Sequence, residues 1–525
     1  MNTAGESDAA GVGQSSVRRS AAILSLGNVL SRGLGMVREI VIPHFYGASG
    51  LVSAFAVAEF TVRTLYDLLV GGMLTAALVP VLSDYARPSR RREFAEVAGT
   101  FFTALTGLAA VVVLALELLA PQVVRLIGGG LSAEHQAEAV TLMRLMAPAL
   151  WLFAASGVLA GILFAWRRFT LVALGDALYN LGIVIAVPLL YRHLDIRALA
   201  VGVLLGSLIQ LGLRLPDLRG LGLRLRRQWR HPALRRMLVL YMPILFSIAV
   251  GMVQGGIDRR LASGTGPNSL AYMRTATTLY QLPHGLVAVA VALAALPTLS
   301  QWAAEGNWPA YRRTLAAGLR AVLVLCVPAT IGLWVLAEPI IRLLAEHGAF
   351  TAADTAWAAA ALRFYLFGLV FACVDWPLNF AFYARGDSLT PDLVGVASVF
   401  VYLAVALALL GSLGFLGLAL ADGAKHAAHA LVMLALFHRR QGPLGEGVAR
   451  TAGLTLLAGL VMGAVVYGLT ALLLAQLGTA GLMPRLTVVL LPAVVGGLLY
   501  FGMLRQLRLP EAALVVQLAR RFIPS

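Results

Sequence analysis

The chain has 525 residues, of which 59% are hydrophobic and only 13% charged, and a formal net charge of +16. A water-soluble protein of this length would need far more polar surface, so the apolar surplus must face lipid and a soluble class is excluded. The positive balance is almost wholly arginine, with Lys425 the only lysine, and its distribution follows membrane topology rather than a nucleic-acid-binding patch.

Residues 1–20 are polar and loose in character and read as a cytoplasmic tail rather than a cleaved leader. Fourteen long apolar segments follow, at about 21–46, 51–82, 96–125, 137–165, 171–191, 196–215, 237–262, 270–300, 312–344, 355–384, 390–411, 414–437, 449–476 and 485–506. Each is long enough to cross a hydrocarbon core of about 30 Å, which takes about 20 helical residues. None alternates as a barrel strand would, so the expected class is an all-α polytopic membrane protein. The N-terminal tail, every second loop and the C-terminal tail together hold 26 arginines, against seven in the alternate loops. Positive residues stay cytoplasmic, which places both termini inside and the protein in the cell membrane. Cys326 and Cys373 fall inside apolar segments and read as small buried hydrophobes without disulfide or metal spacing.

The first segment contains "SRGLGMVREIVIPHFYG", residues 31–47, which carries Arg32, Arg38 and Glu39 into the membrane. Arg32 lies about 18 Å deep at about 1.5 Å per residue, close to the midplane. Glu39, seven residues on, shares its face, whereas Arg38 points about 120° away. A charge near the bilayer centre costs at least about 2.5–3.5 kcal/mol, so such groups face a ligand, a partner or water. For Arg32 two readings stand: an anion-holding cation, or one half of an Arg32–Glu39 or Arg–Asp pair that locks helices. For Arg38 the second reading is a snorkelling side chain.

The second segment contains "RTLYDLLVGGMLTAALVPVLSDY" and the eighth "TTLYQLPHGLVAVAVALAALPTLSQW"; both open on Thr-Leu-Tyr and close on Pro-x-Leu-Ser. The following segments echo again, "LLAPQVVRLIGGG" against "VLAEPIIRLLAEHGAF". The expected organisation is therefore two six-helix lobes in a parallel pseudo-repeat, residues 21–215 and 237–438, joined by an Arg-rich cytoplasmic linker, 216–236. Two added helices, 449–506, and a cytoplasmic tail, 507–525, complete the chain. Such lobes suit alternating access around a central cavity.

Arg63 and Arg274 occupy comparable places in the two copies, on the second and eighth segments, and are candidate ligand cations. Arg144, Arg320 and Arg363 lie near segment ends or lack a placed partner, which favours snorkelling or packing. Asp422, Lys425, His426 and His429 are spaced i, i+3, i+4 and i+7 and share a helical face. That set can pass a proton or select a cation; alternatively Asp422 and Lys425 neutralise one another and the histidines are satisfied core residues. Asp258 is a second intramembrane carboxylate, either functional or paired with its neighbours Arg259 or Arg260. No nucleophile–base set, phosphate-cradling loop or metal-ligand spacing points to an enzyme, and no cofactor is implied.

These residues resemble the MurJ (MviN) family. The resemblance rests on "SRGLGMVREIVIPHFYGAS", "VGGMLTAALVPVLSDY", "LAGILFAWRRFTLVALGDALYN" and "FYARGDSLTP", in that order, and covers nearly the whole chain. It implies a fourteen-helix fold within the superfamily of MATE-type antiporters and polysaccharide flippases. It also implies a monomeric flippase of the bacterial inner membrane that carries lipid II, the undecaprenyl-pyrophosphate-linked peptidoglycan precursor, to the outer leaflet. Arginine suits a pyrophosphate, because it stays charged and offers forked donors. The family's Ser-Arg pair and its second helix-1 arginine fall on Ser31, Arg32 and Arg38, and its following acidic residue falls on Glu39.

The departures are equally specific. The family's helix-2 arginine falls on Tyr66, its helix-2 glutamate on Gly71, the acidic residue after helix 1 on Ser53, and its helix-8 arginine on Thr278. Arg63 and Arg274 lie about one turn before Tyr66 and Thr278, so the cations are expected to be retained in altered positions. The family's sodium-site residues fall on Asp258, Tyr402, Ala406 and Asp422, which leaves sodium, a proton or no coupling ion open. Export of another lipid-linked oligosaccharide is the alternative substrate reading, and a transport-dead scaffold a more distant one.

Overall fold

The computed structural model describes residues 27, 29–166, 168, 170–222, 231–445, 447–509 and 511. The expected tail 1–20, residues 223–230 of the expected linker and most of the C-terminal tail lie outside the described residues. All regular structure among the described residues is helical, as the apolar segments require. In chain order the helices are α1 (29–46), α2 (Gly50–Tyr66), α3 (Val79–Ser83), α4 (Arg91–Gly128), α5 (Ala133–Ala165), α6 (Thr170–Leu194), α7 (Arg197–Arg214), α8 (Pro232–Ser263) and α9 (Ser269–Pro283). There follow α10 (Val289–Ala304), α11 (Trp308–Val335), α12 (Ala337–Leu344), α13 (Ala352–Ala384), α14 (Leu389–Leu413), α15 (Phe415–Gln441), α16 (Val448–Leu477) and α17 (Leu482–Gln506).

The described residues of all fourteen expected segments fall on helix, but among them fewer than fourteen helices are long and apolar enough to cross a membrane. Ten helices among the described residues qualify, and an eleventh if the pair Pro232–Met242 and Ile244–Ser263, bent by 47°, is one span. The three segments that fall short all carry charged side chains, and the first is described only at residue 27 and from residue 29 on. Residues 29–46 hold Arg32, Arg38 and Glu39, residues 50–83 are interrupted, and α15 holds Asp422, Lys425, His426 and His429. The expected single segment 312–344 is also two helices, α11 and the short α12, broken at Leu336.

Local sequence explains the boundaries. Thr351 and Asp354 form a reciprocal capping box at the start of α13, satisfying two orphan N–H groups. Ser49 and Ser132 cap α2 and α5 through their hydroxyls. The interruption after α2 consists of two π-helical turns, Asp67–Gly71 and Leu74–Leu78. A third, His284–Ala288, follows α9. Both copies of the repeat therefore widen their helix between the Thr-Leu-Tyr and Pro-x-Leu-Ser motifs, at the kind of feature that marks functional sites.

The chain divides into two compact units, Met1–Ala271 and Tyr272–Ser525. In the first, α5 packs against α2, α4 and α7, and α6 lies along α7. The core here is built from Val70, Met73, Leu78, Leu82, Phe94, Phe101 and Leu163, with Tyr241 of α8 against it. In the second, α13 and α15 form the closest pair, flanked by α11, α14 and α10, and α16 joins α11 to α17. The α13–α15 approach depends on glycine: a Cβ built at Gly368 would lie 2.2 Å from the Gly423 Cα. Leu490, Val494 and Leu498 of α17 are exposed at i, i+4 and i+8, a stripe that suits lipid contact.

Of the two readings for Arg144, Arg320 and Arg363, snorkelling or packing, the contacts agree with packing against protein. Arg144 Nε donates to the Glu117 carbonyl at 3.1 Å, Arg363 Nε to the Trp334 carbonyl at 3.3 Å, and Arg320 pairs with Glu511. Arg214 ends α7, is 4% exposed and donates to the Ser156 carbonyl and hydroxyl at 2.5 and 2.6 Å.

Candidate functional site

Within the first unit a cavity of about 390 Å³ is lined by Ser31, Gly35 and Arg38 of α1 and by Arg63 and Tyr66 of α2. Asp67 and Gly71 of the adjoining π turn, Phe153 of α5, Tyr179 and Asn180 of α6 and Gln210 of α7 complete its wall. Helical spacing selects these residues: 31, 35 and 38 share one face of α1, and 63, 66 and 67 one face of α2. The π turn, in which the Gly72 N–H bonds the Asp67 carbonyl, carries the same face on to Gly71. Asn180 Nδ2 donates to the Ser31 carbonyl at 3.2 Å and ties α6 to α1. The rings of Tyr66, Phe153 and Tyr179 form a chain, with centroid separations of 5.6 and 5.3 Å.

Of the residues singled out from sequence, the cavity brings together Ser31, Arg38 and Arg63. Arg38 is 18% exposed and faces carboxylates rather than snorkelling: its Nε and Nη2 donate to Glu39 Oε1 at 3.0 and 2.7 Å, and Nη1 lies 3.7 Å from Glu59 Oε1. Glu39 is therefore a partner of Arg38. Arg32 is exposed on α1 and is not among the cavity-lining residues. Arg63 has its Nε 4.0 Å from Asp67 Oδ2, and the two side chains are 63% and 45% exposed, a loose pair of little net strength. The hollow is thus of mixed charge, with two guanidinium groups and one carboxylate on its wall, rather than purely cationic.

Sequence reading passed over Asp67 and Asn180 as cavity residues. The signal for Asp67 is its place one turn after Arg63. A Cβ at Gly71 would lie 2.6 Å from Asp67 Oδ1, so glycine leaves the space that this carboxylate fills. Arg63 and Asp67, about one turn before positions 66 and 71, line the cavity beside Tyr66 and Gly71.

The remaining candidates lie elsewhere. Arg274 is half-buried on α9 and belongs to the second unit. Asp258 is half-buried on α8, in the first unit. Its neighbour Arg259 lays its guanidinium over the Phe60 ring, 3.7 Å from the centroid. Asp422 on α15 accepts from Lys425 Nζ at 2.7 Å, so the mutual-neutralisation reading describes this pair. His426 and His429 of α15 turn to Asp375 of α13.

The sequence profile of the family "Lipid II flippase MurJ" matches residues 42–488. The chain belongs to this family. A probable lipid II flippase MurJ of Rhizobium meliloti is 30% identical over 422 residues, covering 77% of both chains. That of Bdellovibrio bacteriovorus is 28% identical over 514 residues, 93% of this chain and 94% of the relative. That of Haemophilus influenzae is 28% identical over 390 residues, 71% of this chain and 76% of the relative. Among solved structures, a lipid II flippase MurJ in an inward closed conformation superposes with a TM-score of 0.76 at 22% identity, covering 93% of this chain and all of that one. An inward-facing multidrug MATE transporter superposes with a TM-score of 0.69 at 13% identity, covering 81% and 98%. The MurJ fold, a polytopic helical membrane fold shared with MATE transporters, is thereby established for this chain.

Proposed function

We propose that this protein is a flippase that moves lipid II from the cytoplasmic to the outer leaflet of a bacterial inner membrane. Family membership supports it, as do relatives that carry that name along most of their length. The observation that carries the reading to particular residues is the cavity on which Arg38 and Arg63 converge. A pyrophosphate needs charge-assisted donors in a low-dielectric route, and guanidinium groups offer them at every accessible pH. Arg63 is the cation whose partner an incoming phosphate most easily displaces, at 4.0 Å and largely exposed. Arg38 is held in place by Glu39 and Glu59 and presents a fixed charge. The aromatic chain and the amides of Asn180 and Gln210 provide apolar faces and neutral hydrogen-bonding groups for the saccharide portion.

In this reading the protein acts as a monomer with both termini cytoplasmic, no cofactor and no catalytic residue, and its lobes alternate between the two sides. Ser31, on the wall of the same cavity, serves the same anionic headgroup. An ion gradient, or a membrane potential supplying about 2.3 kcal/mol per charge per 100 mV, drives the cycle. The alternative substrate, another lipid-linked oligosaccharide, is favoured by Tyr66 standing where a cation is usual and by Asp67 on the cavity wall. Replacement of the essential flippase in a depleted bacterium separates the two: growth restored by this chain, and lost with Arg63→Glu, supports lipid II. Stable expression without rescue supports the alternative.

A further inference from the structure

The second unit contains a polar cluster that the flippase reading leaves unused. Asp375 of α13, 7% exposed, sits between two imidazoles of α15. His429 Nδ1 is 2.9 Å from Asp375 Oδ1, and His426 Nδ1 is 3.4 Å from Asp375 Oδ2. The other ring nitrogen of His429, Nε2, lies 3.4 Å from the Pro391 carbonyl. Carboxylate and carbonyl oxygens only accept, and a neutral imidazole has a single N–H, so it can satisfy one of these two acceptors. The imidazolium satisfies both. Asp375 has no fixed cation for a partner among the described residues: its ion-pair neighbours are the two histidines, and Lys425 is taken by Asp422 at 2.7 Å. Two carboxylates against one ammonium leave one negative charge, and one imidazolium cancels it, which a buried site favours.

The surroundings are consistent with a proton rather than a metal ion. The described residues contain no group of three or more His, Cys, Asp or Glu with metal-holding geometry. The titratable groups that face the pair are His426, Lys425 and Asp422 of α15, and Cys373 on α13 with Cys326 of α11 beside it. Asp392 adjoins Pro391 on α14. His284 of the third π turn accepts from Trp376 Nε1–H at 3.0 Å, and its ring lies 6.4 Å from that of His426. Tyr280 of α9 lies against His284, ring centroids 5.9 Å apart. It is 6% exposed, and its hydroxyl has no hydrogen-bond partner among the described residues.

We propose that Asp375 and His429 form a proton-binding site within the second unit, and that its occupancy drives the transport cycle. Proton uptake forms one N–H bond on His429 at the expense of an O–H bond of hydronium, and no redox partner is needed. The site deepens the flippase reading, and its coupling to transport rests on that reading. The acid, Asp375, and the basic ring, His429, lie outside the set Asp258 and Asp422 suggested by the resemblance.

Two measurements on the full chain in lipid test it. Nitrogen NMR of labelled histidine side chains across pH reports the site without any substrate. One histidine titration is expected to vanish in His429→Gln and to move by about one pH unit or more in Asp375→Asn. Unchanged titrations in both variants overturn the site. Flipping of fluorescent lipid II in vesicles under an imposed gradient of one pH unit reports the coupling. The wild-type rate is expected to change about threefold or more, within the roughly tenfold that one proton per cycle allows, and His429→Gln to be insensitive to the gradient. A His429→Gln rate that follows the gradient as the wild type does overturns the coupling. Should His429→Gln fail to fold, Asp375→Asn, of the same shape, takes its place in both measurements. If the wild type moves no lipid II, the flippase reading falls with the coupling, while the titration still decides the site.

Discussion

Arg38 and Arg63 line one cavity but are held differently, and the difference predicts different losses. Arg63 is loosely paired and mostly exposed, so Arg63→Ala is expected to leave the fold intact and to lower the flipping rate about 10- to 100-fold, the worth of one charge-assisted bond. Arg38→Ala is expected to lower the thermal midpoint as well, because it removes the guanidinium that faces the Glu39 and Glu59 carboxylates, which are 12% and 18% exposed. A flipping assay paired with a melting curve distinguishes the two; equal midpoints for both variants would contradict the assignment. Outside the spans, Asp387 offers a pH-dependent case. Burial pushes its carboxyl up, but the Thr390 N–H and hydroxyl and the Arg440 guanidinium outweigh burial and hold it below the usual range. A depressed carboxyl contributes stability above its ordinary value, near about 3.9, and loses it as pH falls through its value in the folded protein. Asp387→Asn is therefore expected to melt slightly below wild type at pH 7, with the gap closing below about pH 4. A gap that persists in acid would assign the effect to packing instead.

At the scale of helices, most boundaries were legible because apolar runs and caps act locally. The Thr351–Asp354 box starts α13 where the apolar run begins, and Gly414 separates α14 from α15. The π turns were not legible. Hydropathy is blind to an extra residue in a turn. The Arg38–Glu59 approach was not legible either: helical arithmetic places side chains around an axis but does not say which neighbouring helix brings Glu59. The histidines of α15 were readable as one face, whereas their partner Asp375, on α13, required the packing. That packing makes its own prediction. Gly368→Ala forces a Cβ to within 2.2 Å of the Gly423 backbone, so the α13–α15 pair must separate. The expected loss is about 1–3 kcal/mol, read as a lower thermal midpoint, together with a disturbed His429 titration. A variant with wild-type stability would show that the two helices do not need the close approach.

For the molecule as a whole, composition fixed the class, the repeat motifs agree with π turns that recur in both compact units, and the family profile covers residues 42–488. The substrate follows from the family and from two guanidinium groups on a mixed-charge wall. The most direct measurement is the appearance of lipid II on the outer face of flippase-depleted cells, scored by a membrane-impermeant enzyme that cleaves it. Cells carrying the wild-type chain are expected to expose lipid II and grow, and cells carrying Arg63→Glu at equal expression to expose about tenfold less or below. Equal exposure in both would contradict the claim that this cavity receives the diphosphate.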